Sequence, residues 1–89
     1  MSANYFLPGC RGSLGRENTP TWTHVRCLAF IQGLLSGVGG KETCPPKEVK
    51  GGQAVAVIIK YIEARPERMH EQFGDLALEA LTAAWPCKR

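Results

Sequence analysis

Four cysteines, Cys10, Cys27, Cys44 and Cys87, stand 17, 17 and 43 residues apart and nearly span a chain of 89 residues. An even number in so short a chain, with no CxxC pair, predicts disulfides and an oxidising compartment. A chain of this length buries only roughly 60% of the surface its extended form exposes, so its core is thin and covalent links matter. Structural zinc sites place paired ligands about two to four residues apart, and these separations do not. A disulfide also removes the nucleophile from any Cys27–His24 or Cys87–His70 pair. Four cysteines allow three complete pairings, and sequence leaves all three open. The expected one joins Cys27 to Cys44 and closes the ends with Cys10–Cys87.

Length predicts one domain over residues 1–89, with an N-terminal arm at 1–20 and a helical core at 21–87. Pro8, Gly9, Gly12, Gly15 and Pro20 punctuate the arm, which is expected to be irregular or to form a short helical turn. Three helices follow. In the first, 21–36, Val25, Leu28, Ile31 and Leu35 keep helical spacing beside Cys27 and Phe30. In the second, 51–64, Val55, Ile58, Ile59 and Ile62 form a broad apolar face. Its β-branched run would also suit a strand, but Gln53, Lys60 and Glu63 break strict alternation and no pairing partner is evident. In the third, 66–84, Pro66 fits the first position, and Met69, Phe73, Leu76, Ala77, Ala80 and Ala84 repeat at three and four residues. The expected fold is all-α: a small disulfide-stapled bundle of three main helices with a short N-terminal arm or helical turn.

Charge is uneven. The net +3 divides into +4 over residues 1–60, −3 over 61–87 and +2 at Lys88 and Arg89. There is no dense basic stripe for nucleic acid and no apolar run long enough to span a bilayer. Glu67, Glu71 and Asp75 are expected along one solvated helix face rather than across a hydrolase cleft. GLLSGVGGKET lacks the GxxxxGK[ST] pattern and follows a helix, so it is read as an exposed loop suited to meeting another protein. Nothing predicts catalysis, a metal or a cofactor. The interface candidates are Gly37, Gly39, Gly40, Lys41, Glu42 and Thr43 in that loop, and Arg65, Arg68 and Glu71 near the third helix. Tyr61 and Trp85 are candidate contact anchors.

The ordered segments CLAFIQGLLSG, CPP, GGQAVAVIIKYIEARPERMH and LALEALTAAWPC resemble the Rap1a/Tai immunity proteins over about Cys27 to Cys87. Cys10 also suits an upstream cysteine of that family. The resemblance implies a small helical periplasmic protein with disulfides. It further implies a binder that blocks a peptidoglycan amidase effector of type VI secretion and protects producer and sibling cells. Some relatives are dimers holding two effectors, so a homodimer is expected too. MSANYFLPGC is too short and polar for a signal peptide, so the periplasmic expectation is for a mature chain with its signal removed. Two alternatives stand beside this reading: a periplasmic stress or holdase-like chaperone active near pH 3, and a family member without a toxin partner.

Overall fold

In an α-helix, apolar residues at i, i+3, i+4 and i+7 share one face. Ala3, Phe6, Leu7 and Cys10 have that spacing, and all four are buried. The structure, a computed structural model, describes residues 1–38 and 41–87. It places four α-helices in the order α1 (Ala3–Ser13), α2 (Thr21–Val38), α3 (Gly51–Glu63) and α4 (Phe73–Ala84). The all-α, doubly disulfide-linked architecture is as expected.

Residues 3–13 form a complete helix where the sequence predicts an arm or a single turn. Pro8 sits inside it at the cost of a backbone hydrogen bond. The glycines read as loop punctuation serve a different purpose. A Cβ on Gly9 would stand 2.5 Å from the Thr23 carbonyl oxygen, and one on Gly12 would collide with Thr19 and His24. Bare backbone at these two positions lets α1 lie directly on α2.

The pairing of cysteines differs from the expected one. Cys10 bonds to Cys27, and Cys44 bonds to Cys87. Once residues 3–13 coil, Cys10 faces the neighbouring helix and no longer reaches the chain's far end. The Cys10–Cys27 bond also sets the rotation of α2. Each helical residue turns the direction by about 100°, so Val25 and Cys27 point roughly 160° apart and cannot both face inward. Cys27 and Ile31 are buried, whereas Val25 is 58% exposed, which corrects its placement on the core face.

The β-branched run of residues 55–59 is helical. Ala54, Val55, Ile58, Ile59 and Ile62 are all fully buried on one side of α3. Opposite them lie Leu76, Ala77, Ala80 and Leu81 of α4. Phe6 of α1 stacks on Phe73 of α4 with ring centroids 4.6 Å apart, and Phe30 of α2 completes the aromatic trio at 5.0 and 5.3 Å.

The single helix predicted over 66–84 is divided. Pro66–Arg68 forms one 3₁₀ turn, and Gln72 is extended before α4 begins. The first N–H groups of any helix lack internal acceptors. Those of α1 find them in this break: Ala3 donates to the Glu71 carbonyl at 2.9 Å and Asn4 to the Met69 carbonyl at 3.0 Å. Phe73 donates back to the Met1 carbonyl at 2.9 Å. A continuous helix would have used those carbonyls itself.

Replacing Phe73 by Ala is expected to cost about 3–5 kcal/mol, because it empties the centre of the aromatic trio. Val25→Ala, on the outward face of α2, is expected to change stability by less than about 0.5 kcal/mol. Urea unfolding of the Val25 variant checks the rotation of α2, and that of the Phe73 variant checks the aromatic packing.

Candidate functional site

The break between α3 and α4 gathers three of the sequence candidates. Arg65 donates through Nη1 to the Tyr61 carbonyl at 3.0 Å, and its guanidinium lies 3.8 Å over the Tyr61 ring. Arg68 forks between two carboxylates. Its Nε and Nη2 reach Glu71 at 2.9 Å each, and its Nη1 and Nη2 reach Glu79 at 2.8 and 2.7 Å. The Tyr61 hydroxyl donates to the same Glu79 carboxylate at 3.0 Å. Planar, bidentate pairing of this kind fixes orientation as well as charge.

These contacts set the ionisation. Hydrogen bonds from Arg68, then from Tyr61, hold the Glu79 carboxyl at about 2. The Arg68 hydrogen bonds also pull Glu71 below the ordinary carboxylate value. The two carboxylates, Glu79 first, raise Arg68 further above its usual range. All three side chains are partly open to solvent, so the network orders the surface more than it stabilises the fold.

Of the loop candidates, Lys41, Glu42 and Thr43 lie at the far end of α4, whereas Gly37 belongs to the last turn of α2, which runs on to Val38. Gly37, Lys41 and Glu42 are exposed. Gly39 and Gly40 lie outside the described residues. Thr43 corrects the loop reading, since it is fully buried and offers no partner surface. Its hydroxyl donates to the Leu81 carbonyl at 2.9 Å, with the Trp85 carbonyl 3.1 Å away. The Cys44 N–H donates to that Trp85 carbonyl at 2.8 Å. The end of α4, where helix carbonyls lack internal donors, is therefore capped by the loop. Trp85, a candidate anchor, is partly buried and contributes its backbone here.

The outer side of α4 connects the two groups. A groove of ≈ 670 Å³ runs along Tyr61, Glu71, Asp75, Leu78, Glu79 and Thr82. Thr82 also borders a hollow of ≈ 360 Å³ with Lys41, Glu42 and Cys87. On its other side the groove shares Tyr61 and Ala83 with a shallow alanine-lined hollow flanked by Lys60 and Arg65. The result is one strip with a small apolar centre and charged margins, the usual layout of a protein-binding surface. Reading the sequence missed Glu79, because its link to Arg68 comes from chain reversal between α3 and α4 and leaves no local spacing signal.

A second surface was also missed. Tyr5, Trp22, Val25 and Phe30 are 44%, 63%, 58% and 38% exposed on α1 and α2. The Arg26 guanidinium lies 4.1 Å over Tyr5 and 4.9 Å over Trp22. The signal was there in the three-residue step from Trp22 to Val25 on one helix face.

Over residues 2–87 the chain matches the family model described as Rap1a immunity proteins. The match takes in α1 and Cys10 as well as the segments from Cys27 to Cys87. No curated protein matches the chain.

The folded Glu79 value lies below the ordinary one near 4.5, so its stabilising ionisation is complete above about 4.5 and lost as pH falls through about 2. Carboxyl-carbon NMR is expected to show Glu79 titrating near 2. In Arg68→Gln the midpoint is expected to move up toward 4.5. An unchanged midpoint would show that Arg68 does not hold this carboxylate.

Proposed function

The chain belongs to the Rap1a immunity protein family, and on that footing we propose that it neutralises a secreted effector by binding it. The effector proposed is a peptidoglycan amidase delivered by type VI secretion, met in the periplasm. Binding would cover the amidase's active site and protect the producer and its siblings. The family match over residues 2–87 carries this reading. The paired disulfides fit the proposed compartment.

The α4 strip supports a rigid, stoichiometric blocker. Arg65, Arg68 and Glu71 are held by their own hydrogen bonds before any partner arrives, which lowers the ordering cost of association. Asp75, exposed beside them, adds negative charge that would steer a basic patch of the effector onto the strip. Lys41 and Glu42 would contact it at the other end. The acid-activated chaperone reading is less well supported. The Glu79 carboxyl is held at about 2, so its own ion pair with Arg68 persists near pH 3.

We assign the surface of Tyr5, Trp22 and Val25 around Arg26 to a homodimer. Exposed aromatic and aliphatic side chains grouped in this way mark an association surface. Light scattering is expected to give twice the chain mass, and the mass is expected to halve in Trp22→Glu/Val25→Glu. A monomeric parent chain would refute the dimer.

The effector reading is tested by adding the purified chain to purified peptidoglycan amidase effectors of type VI secretion and following cell-wall hydrolysis and calorimetric binding. One chain per amidase is expected to stop hydrolysis. Asp75→Lys is expected to weaken binding at least about tenfold, whereas Glu17→Gln leaves it unchanged. Failure to form a complex with any type VI effector would sink the proposal.

A further inference from the structure

The two disulfides differ in their access to solvent. Cys10 and Cys27 are both fully buried between α1 and α2, so an incoming thiolate reaches that bond only after the helices part. Cys44 is exposed and Cys87 is half-buried. Cys87 also borders the open hollow of ≈ 360 Å³ that it shares with Lys41, Glu42, Thr82 and Pro86. A small thiolate can enter that hollow without any helix moving. Lys41 and Glu42 line it together, so their charges offset each other and access to the sulfur decides. Exchange rates depend on such access to the sulfur under attack.

We infer that Cys44–Cys87 is a thiol–disulfide exchange site, opened by a dithiol reductant, and that Cys10–Cys27 is closed to exchange in the folded chain. One thiolate of the reductant attacks Cys87 Sγ. The Sγ–Sγ bond breaks, and Cys44 leaves as a thiolate and takes up a proton. The reductant's second thiolate then attacks its own sulfur in the mixed disulfide. Cys87 leaves and is protonated, and the reductant departs as a disulfide. Two electrons and two protons have passed to the chain.

The consequence is local. The bond joins the loop before α3 to the residues after α4. After exchange, the Thr43 and Cys44 hydrogen bonds to the Leu81 and Trp85 carbonyls still hold the loop, and the α3–α4 core is untouched. Reduction therefore releases Cys87 from the loop, while these hydrogen bonds keep Thr43 and Cys44 on the end of α4 and Cys10–Cys27 keeps α1 on α2. The exchange does not depend on which protein the α4 strip binds.

The oxidised full-length chain is treated with dithiothreitol in native buffer, trapped at intervals with iodoacetamide and mapped by mass spectrometry. Cys44 and Cys87 are expected to be labelled at least about tenfold faster than Cys10 and Cys27. Helical circular dichroism is expected to persist once the first pair has opened. The Cys44→Ser/Cys87→Ser variant is expected to stay helical with Cys10–Cys27 still linked. Equal rates, faster labelling of Cys10 and Cys27, no labelling without denaturant, or an unfolded double variant would each overturn the assignment.

Discussion

The bond between Cys10 and Cys27 determines how the first half of the molecule turns. It is fully buried, so both helices must present those residues to each other. With Cys27 inward, Ile31 follows into the core and Val25 goes to solvent. With Cys10 inward, Phe6 and Leu7 follow, and the bare backbones of Gly9 and Gly12 meet Thr23, Thr19 and His24. One covalent contact thus converts a segment rich in glycine and proline into a core helix. The chain-entropy value of closing a loop of this size is about 3 kcal/mol, comparable with the penalty of an interior proline.

That placement carries through to the candidate site. The start of α1 needs acceptors for its first N–H groups and takes them from Met69 and Glu71. The helix predicted over 66–84 gives way there. Had it been continuous, Arg68 and Glu79 would stand eleven residues apart, or roughly 16 Å along the axis at about 1.5 Å per residue, too far for a direct contact. The break folds the 3₁₀ turn back, and the Arg68 guanidinium reaches Glu79 at 2.7 Å. The ordered charge on the α4 strip is therefore a consequence of where α1 docks.

Local pattern made the middle of the fold legible. The apolar positions of α3 and α4 are visible as helical spacing, and the alternative strand at 55–59 fails because Gln53, Lys60 and Glu63 around it break strict alternation. The rotation of α2 was hidden, because Trp22, Val25, Leu28 and Ile31 offer more apolar positions than one buried face can hold. Disulfide pairing settles which of them turn inward, and pairing is a tertiary fact. The same limit applies at the site. Arg65 with Tyr61 and Arg68 with Glu71 are near neighbours in sequence, whereas Glu79 joins them only across the α3–α4 reversal. Thr43 was read as loop surface from composition, yet its hydroxyl is drawn inward by carbonyls that only the end of α4 supplies.

Thr43 also explains how the two ends of the strip come to share a frame. Lys41 and Glu42 belong to a loop with little structure of its own, and their position is inherited from the residues that follow. Thr43 and Cys44 bond to the carbonyls of Leu81 and Trp85, and the Thr82 hydroxyl reaches the Glu42 carbonyl at 3.4 Å. At the opposite end, Glu79 of the same helix anchors Arg68. Both charged margins are thus referenced to α4, whose inner side is packed by Leu76, Ala77, Ala80 and Leu81. A partner that recognises both margins reads the geometry of one helix packed by its inner side, so the spacing between them is set by core packing rather than by loop conformation. The Cys44–Cys87 bond adds a covalent link at one margin and none at the other, so opening it frees Cys87 while the hydrogen bonds to α4 keep both margins in register.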